Sequence, residues 1–325
     1  MASAAQNPSL RLKRVDPVVL GVCACILLIL LAGSLYSPNF LSPDYLLQQL
    51  NVGSFLGVIA SGVMLVILLG QIDLSVPWVV TIGGMMATAG AGWFGPVMGP
   101  ALAIPFGIAC GAAVGLINGI GVAYLRVPSM IFTLGVNAVM RGLMVAHTGG
   151  YAPQTAATDL MRTLASERTL GIPNALFVWV AVSVLVAGIL QRTPLGRYIY
   201  ATGNKESAAY LAGVDTRRVT VICFALCGLT AALAGVLLAG YSTKAYQGMG
   251  DAYLLPSIAA VVIGGTNILG GRGRYLGTLI GVVLIVLLNS VLSIMDMPEA
   301  GRQVIYGLVI ILMLLVYGRG ERVTS

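Results

Sequence analysis

The sequence predicts an all-α polytopic membrane protein of about ten transmembrane helices, some broken or re-entrant, and three observations predict it. Of its 325 residues, 58% are hydrophobic and 9% carry charge, whereas about a quarter of a soluble domain is charged. Apolar stretches close to the roughly 20 residues that cross about 30 Å of hydrocarbon recur along the whole chain. The basic residues between them fall mostly on alternate connections.

The first segment, residues 18–36, follows the basic stretch MASAAQNPSLRLKRVDP. It is long for a signal peptide and many spans follow, so it reads as a retained helix behind an N-terminal tail of residues 1–17. Segments 52–71 and 76–93 are separated by polar residues, and the second of them is glycine-rich. Segments 98–125 and 129–147 follow, then 174–191 and 219–241 on either side of a long connection, 192–218. Segment 257–271 is short and ends in GGTNILGG; segments 275–295 and 302–318 complete the set, leaving 319–325 as a tail. Segments 76–93 and 257–271 are the least regular and read as broken or re-entrant helices. Residues 18–318 thus form a single transmembrane domain.

Alternating the connections places thirteen lysines and arginines (Arg11, Lys13, Arg14, Arg126, Arg192, Arg197, Lys205, Arg217, Arg218, Arg272, Arg274, Arg319, Arg322) on one side. The other side receives four: Arg162, Arg168, Lys244 and Arg302. The positive-inside rule then makes both termini cytoplasmic, turns 192–218 toward the cytoplasm and turns 148–173 outward, where it suits a lid or docking surface. A faint repeat joins residues 36–75 (YS, DYLL, GQIDLS) to 241–269 (YS, DAYLL, GGTNIL), parallel in this topology.

The residue inventory excludes most catalytic chemistry. The sole histidine, His147, ends a span, and Cys23, Cys25, Cys110, Cys223 and Cys227 have no companions at metal-ligand spacing. No metal site is expected, and the cysteines read as small core residues. GGTNILGGRG lacks the lysine and spacing of a phosphate loop. The net charge of +7 is scattered between apolar runs with no aromatic interleaving, so the expected neighbour is membrane lipid and not nucleic acid.

Polar groups within the spans are few, and each needs a partner or a task because hydrocarbon offers none. They are Gln71, Asp73, Ser75, Asn118, Asn137, Arg141, Asn267 and Asn289. Asn137 and Arg141 toward the outside, then Asn118 and Asn289, are the candidates for lining a translocation pathway. Arg141 either snorkels to headgroups or faces a polar pathway or an acid. At the junction LLGQIDLSVPW, Asp73 or Ser75 is placed to cap the following helix, and Pro77 suits its first turn. With Asp73 the only acid inside a span, ion-coupled transport is disfavoured; a passive channel stays open, and energy for uphill transport would have to come from another chain.

The connection GNKESAAYLAGV predicts a two-turn helix. Asn204 caps it, Glu206 favours its positive end, Gly213 supplies a left-handed turn at its close, and Ala208, Ala209, Leu211 and Ala212 give it a small apolar surface. Such a helix can be a knob for a groove on a partner; read alone, it is an ordinary interfacial loop helix.

Three stretches carry a resemblance. LLGQIDLSVPW resembles G-G-I-D-L-S-V-G of the permeases of bacterial ATP-binding-cassette monosaccharide importers, the ribose, xylose, arabinose and galactose type. Gly70, Ile72, Asp73, Leu74, Ser75 and Val76 match, and Gln71 and Pro77 replace glycines. LGRYIYATGNKESAAYLAGV is similar to that family's coupling loop, L-G-R-x-x-x-A-x-G-G-N-x-x-A-x-x-x-G-I. It matches at Leu195, Gly196, Arg197, Ala201, Gly203 and Gly213, and departs at Asn204 and Lys205. IAAVVIGGTNILGGRGRYLGTLIG resembles the third signature through Gly264, Gly265, Thr266, Gly270, Gly271, Gly273, Gly277, Thr278 and Gly281.

The resemblance covers roughly residues 16–318. It implies a pair of permeases, identical or related, with cytoplasmic ATP-binding-cassette ATPases gripping the 192–218 loops and a periplasmic sugar-binding protein delivering a neutral sugar. ATP and Mg would be ligands of the ATPase, leaving this chain without cofactor or catalysis. It marks Gly203, Glu206, Ala208, Leu211 and Gly213 for coupling. It marks Gly70, Asp73, Ser75, Gly264, Gly265 and Asn267 as helix-junction residues. Relatives of this fold also carry autoinducers, nucleosides and amino acids, and a stand-alone facilitator or channel for small polar solutes is the competing class.

Overall fold

Ser42 begins the most deeply buried of the membrane-length helices among the described residues. Its hydroxyl accepts from Tyr45 N at 3.4 Å, Pro43 occupies the first helical position and Asp44 lies at the positive end. Helix α2 (Pro43–Leu68) therefore starts nine residues before the apolar run suggests. The computed structural model describes residues 17–149 and 156–321, and each of the ten predicted segments carries a helix. Residues 1–16, 150–155 and 322–325, which include most of the predicted tails and part of the predicted outer loop, lie outside the described residues, as does the His147 side chain.

The segments correspond to α1 (Pro17–Tyr36), α2, α3 (Val76–Trp93), α4 (Gly95–Leu125) and α5 (Ser129–Thr148), then α7 (Asn174–Arg192), α10 (Thr216–Tyr241), α11 (Leu254–Ile263), α12 (Tyr275–Ile294) and α13 (Glu299–Glu321). Among the described residues, seven of these, α1, α2, α4, α5, α7, α10 and α12, are long and apolar enough to cross a membrane. Shorter helices α6 (Asp159–Ser166), α8 (Pro194–Asn204) and α9 (Glu206–Leu211) lie in the two long connections. The span expected over 257–271 is cut to α11, which ends at Ile263; a 3-10 turn at Asp251–Tyr253 precedes it and Gly264–Gly265 ends it.

Helix α10 is the axis, packed by α2, α3 and α4. Its Gly228 meets Gly111 and Gly115 of α4 so closely that an added Cβ would collide with the Gly111 carbonyl. Such small-residue contacts let backbones approach where no hydrophobic drive separates protein from lipid. Helix α2 runs antiparallel to α10, with Phe55 edge-on to Tyr241 at 5.4 Å and Gly62 beside Cys227. On its other flank, the Tyr275 hydroxyl of α12 bonds Ser61 of α2 at 2.6 Å and Ser183 of α7 at 2.9 Å.

Helix α1 lies on the outside over α12, so Cys23 and Cys25 are exposed. The expectation of core cysteines holds for Cys223 and Cys227 and fails for this pair. Within the predicted outer loop, α6 is docked: Asn51 Nδ2 donates to Ala165 O at 3.1 Å, and Met161 and Ala165 are buried. The described bundle thus has an α6 end and an α9 end.

Candidate functional site

Between α2 and α3, residues 69–75 leave the helix and their amides need partners. Ile72 N donates to Ser129 Oγ at 3.2 Å and Leu74 N to Thr133 Oγ1 at 2.9 Å; the two acceptors are four residues apart on one face of α5. Asp73 Oδ1 accepts from Ser75 N at 2.9 Å and Ser75 Oγ at 2.6 Å, and the Ser75 hydroxyl accepts from Asn118 Nδ2 of α4 at 2.7 Å. All three side chains are buried, with the Cys227 thiol against the carboxylate. This corrects the capping expectation: neither Asp73 nor Ser75 reaches an N–H inside α3. Asp73 closes a turn onto Ser75 instead, and Pro77 does occupy the first turn of α3.

The strand-like segment returns to Gly70, where three stretches of sequence cross. Gly271 N donates to Leu68 O at 2.9 Å. A Cβ on Gly270 (φ +92°) would stand 2.6 Å from the Gly70 nitrogen and 2.9 Å from the Gly203 oxygen. One on Gly203 would strike the Leu68 carbonyl, so only glycine allows these backbones to touch. Asn267 folds the third stretch, accepting Leu269 N on Oδ1 at 3.0 Å and Gly270 N on its carbonyl at 3.0 Å; Gly265 (φ +89°) turns out of α11 and Gly264 packs on Gly277. Tyr200 of α8 donates to Gly273 O at 2.9 Å. Burial pushes the Tyr200 phenol up, opposed by Arg274, so it stays protonated and able to donate.

Gly203 therefore ties this crossing to α8 and α9. Asn204 is the last residue of α8 and Lys205 precedes α9 in an extended conformation with no side-chain cap, which overturns the reading of Asn204 as N-cap. Glu206 opens α9 and accepts from Thr216 Oγ1 at 3.2 Å. Gly213 (φ +84°) closes it as expected, with Gly213 N on Tyr210 O at 3.0 Å and Val214 N on Ala209 O at 3.1 Å. Ala209 faces inward, which removes it from the predicted apolar surface, while Ala208 is exposed and Tyr210 and Leu211 are 68% and 85% exposed. A cavity of about 530 Å3 beside α9 is bounded by Gln71, Arg126, Glu206, Tyr210 and Arg217.

The three crossing stretches are those that carry the sequence resemblance, and comparison with known proteins extends the likeness over most of the chain. Residues 45–314 match the family described as branched-chain amino acid transport system/permease component. The ribose import permease protein RbsC of Escherichia coli K12 is 36% identical over 298 residues, covering 90% of this chain and 91% of that protein. RbsC of Bacillus subtilis 168 is 36% identical over 91% of this chain and 92% of its own length. The autoinducer 2 import system permease protein LsrC of E. coli K12/DH10B is 31% identical over 93% of this chain and 86% of its own.

The chain belongs to this permease family. It is accordingly a multi-pass membrane protein of the inner-membrane type and a transport component.

In this permease the four expected pathway residues do not form one group. Asn118 is buried and committed to Ser75. Asn289 Oδ1 accepts from Arg302 Nη1 at 3.1 Å at the α12–α13 corner, while Glu299 stands 3.7 Å from the same guanidinium. Asn137 and Arg141 lie four residues apart on α5, and Arg141 is exposed. Sequence reasoning missed Ser129 and Thr133, whose i, i+4 spacing beside the junction was the available signal. It also missed Asp251, which the predicted start of the eighth span at 257 left in an outer connection. The structure carries that stretch inward, so that Asp251 and Arg141 lie within electrostatic reach of each other.

Proposed function

We propose that this permease is the transmembrane subunit of an ATP-binding-cassette importer that carries a monosaccharide, with ATP and Mg bound and hydrolysed by a separate cytoplasmic ATPase. The observation that carries the coupling half of this reading is the crossing of Gly70, Gly203 and Gly270, where the end of α8, just before α9, meets the end of α2 and the α2–α3 junction by direct backbone contact. The 36% identity with RbsC proteins over nine-tenths of the chain supports a sugar as cargo.

In this reading the α9 end faces the cytoplasm with both termini, the ten helical segments all contribute to the transmembrane domain, and the exposed Tyr210 and Leu211 enter a groove on the ATPase. The connection 148–173 faces a periplasmic sugar-binding protein, and the sugar passes between two copies of the permease, or this chain and a relative. Closure of the ATPase dimer pushes α9, and the push reaches Gly70 through Gly203 with no flexible side chain to absorb it. Gly203→Ala and Glu206→Ala are expected to abolish sugar uptake and lower transport-coupled ATP hydrolysis, with the protein still in the membrane fraction. Normal uptake by both variants would overturn the coupling role.

A further inference from the structure

The stretch between α10 and α11 leaves the α6 end and descends along α5. Gln247 Nε2 donates to Thr148 Oγ1 at 2.6 Å at the end of α5, and Gly250 N donates to Thr81 Oγ1 of α3 at 3.3 Å. A Cβ on Gly250 would collide with the Pro77 carbonyl, so the chain reaches this depth only because residue 250 has none. Along α5, Arg141 lies eight residues beyond Thr133, which holds Leu74; along α3, Thr81 lies five residues beyond its first residue, Val76. At 1.5 Å per residue Arg141 stands about 12 Å above Thr133 and Thr81 about 7–8 Å above the start of α3, and Asp251, next to the anchored Gly250, comes within electrostatic reach of Arg141.

These two charges are placed unlike a structural pair. Both are exposed on the isolated chain, and among the described residues neither has a direct ion pair or side-chain hydrogen bond. Asn137, one turn away on the face of Arg141, has a buried Oδ1 with no partner. Groups of this kind at mid-helix depth do not face hydrocarbon; they face water or a partner's surface.

We propose that Arg141 and Asp251, with Asn137 beside them, form a sugar-contacting station on the translocation pathway, an inference that rests on the importer reading above. A guanidinium donor and a carboxylate acceptor within electrostatic reach, and with no direct bond between them, suit a neutral polyol. Asp251 accepts from two adjacent hydroxyls, Arg141 donates to their oxygens, and the opposite charges cancel, so the site attracts no ion.

The test uses D-ribose and proteoliposomes that hold the permease with its ATPase and binding protein. Asp251→Asn and Arg141→Gln are each expected to lower the maximal uptake rate roughly tenfold or more. The thiol introduced by Asp251→Cys is expected to react with a membrane-impermeant reagent, located by peptide mass against the native cysteines, and to be protected by ribose during turnover. Wild-type uptake rates in both variants, or a thiol whose labelling ribose does not slow, would overturn the station alone. Absence of ATP-driven ribose uptake by the unsubstituted importer would instead contradict the sugar reading on which it stands.

Discussion

A carboxylate enclosed by helices needs donors, and Asp73 finds two of them on Ser75, two residues along the chain. Asn118 then donates to the same serine, so one short relay fixes the turn that launches α3. Asp73→Ala leaves the Ser75 amide and hydroxyl without an acceptor in a buried site, at a cost of about 1–3 kcal/mol; Asp73→Asn keeps an accepting oxygen and should cost less than about 1 kcal/mol. Thermal unfolding of the detergent-solubilised protein reads the difference, and equal losses in the two variants would contradict this role. The sequence showed that Asp73 and Pro77 mark a helix start, because their residue types restrict the backbone locally. It did not show that Ser75 answers to Asn118, since that bond spans 43 residues and depends on how α4 packs.

At the level of elements, ten helical segments were legible because apolar runs of membrane length have few other structures open to them. Their ends were less so. Helix α2 begins with a polar cap outside its apolar run, and α11 ends early because Gly264 and Gly265 leave the helix while the sequence around them stays apolar. The inward descent of residues 242–251 was invisible because its polar composition reads as an outer connection. Helix α9 was legible through Gly213, whose positive φ is strained for any residue with a Cβ. Gly213→Ala is expected to cost about 1–2 kcal/mol locally and to fray α9, lowering coupled ATP hydrolysis. Leu211→Asp should leave the melting temperature unchanged, since the side chain is 85% exposed, and abolish co-purification of the ATPase. A permease that retains its ATPase with Leu211→Asp would show that the partner grips elsewhere.

Across the whole molecule, the contacts divide the labour. The α2–α10 core with α3 and α4 is built from close backbone approaches, and the crossing at Gly70, Gly203 and Gly270 joins it to α8 and α9. In the proposed importer, work done on α9 by a separate ATPase would reach this core through that crossing. The direct test of that account is D-ribose uptake into proteoliposomes containing the purified permease, alone and then with its ATPase, binding protein and ATP. Uptake only in the complete, ATP-supplied system is the predicted result; equal uptake by the permease alone would contradict it and make the protein a facilitator.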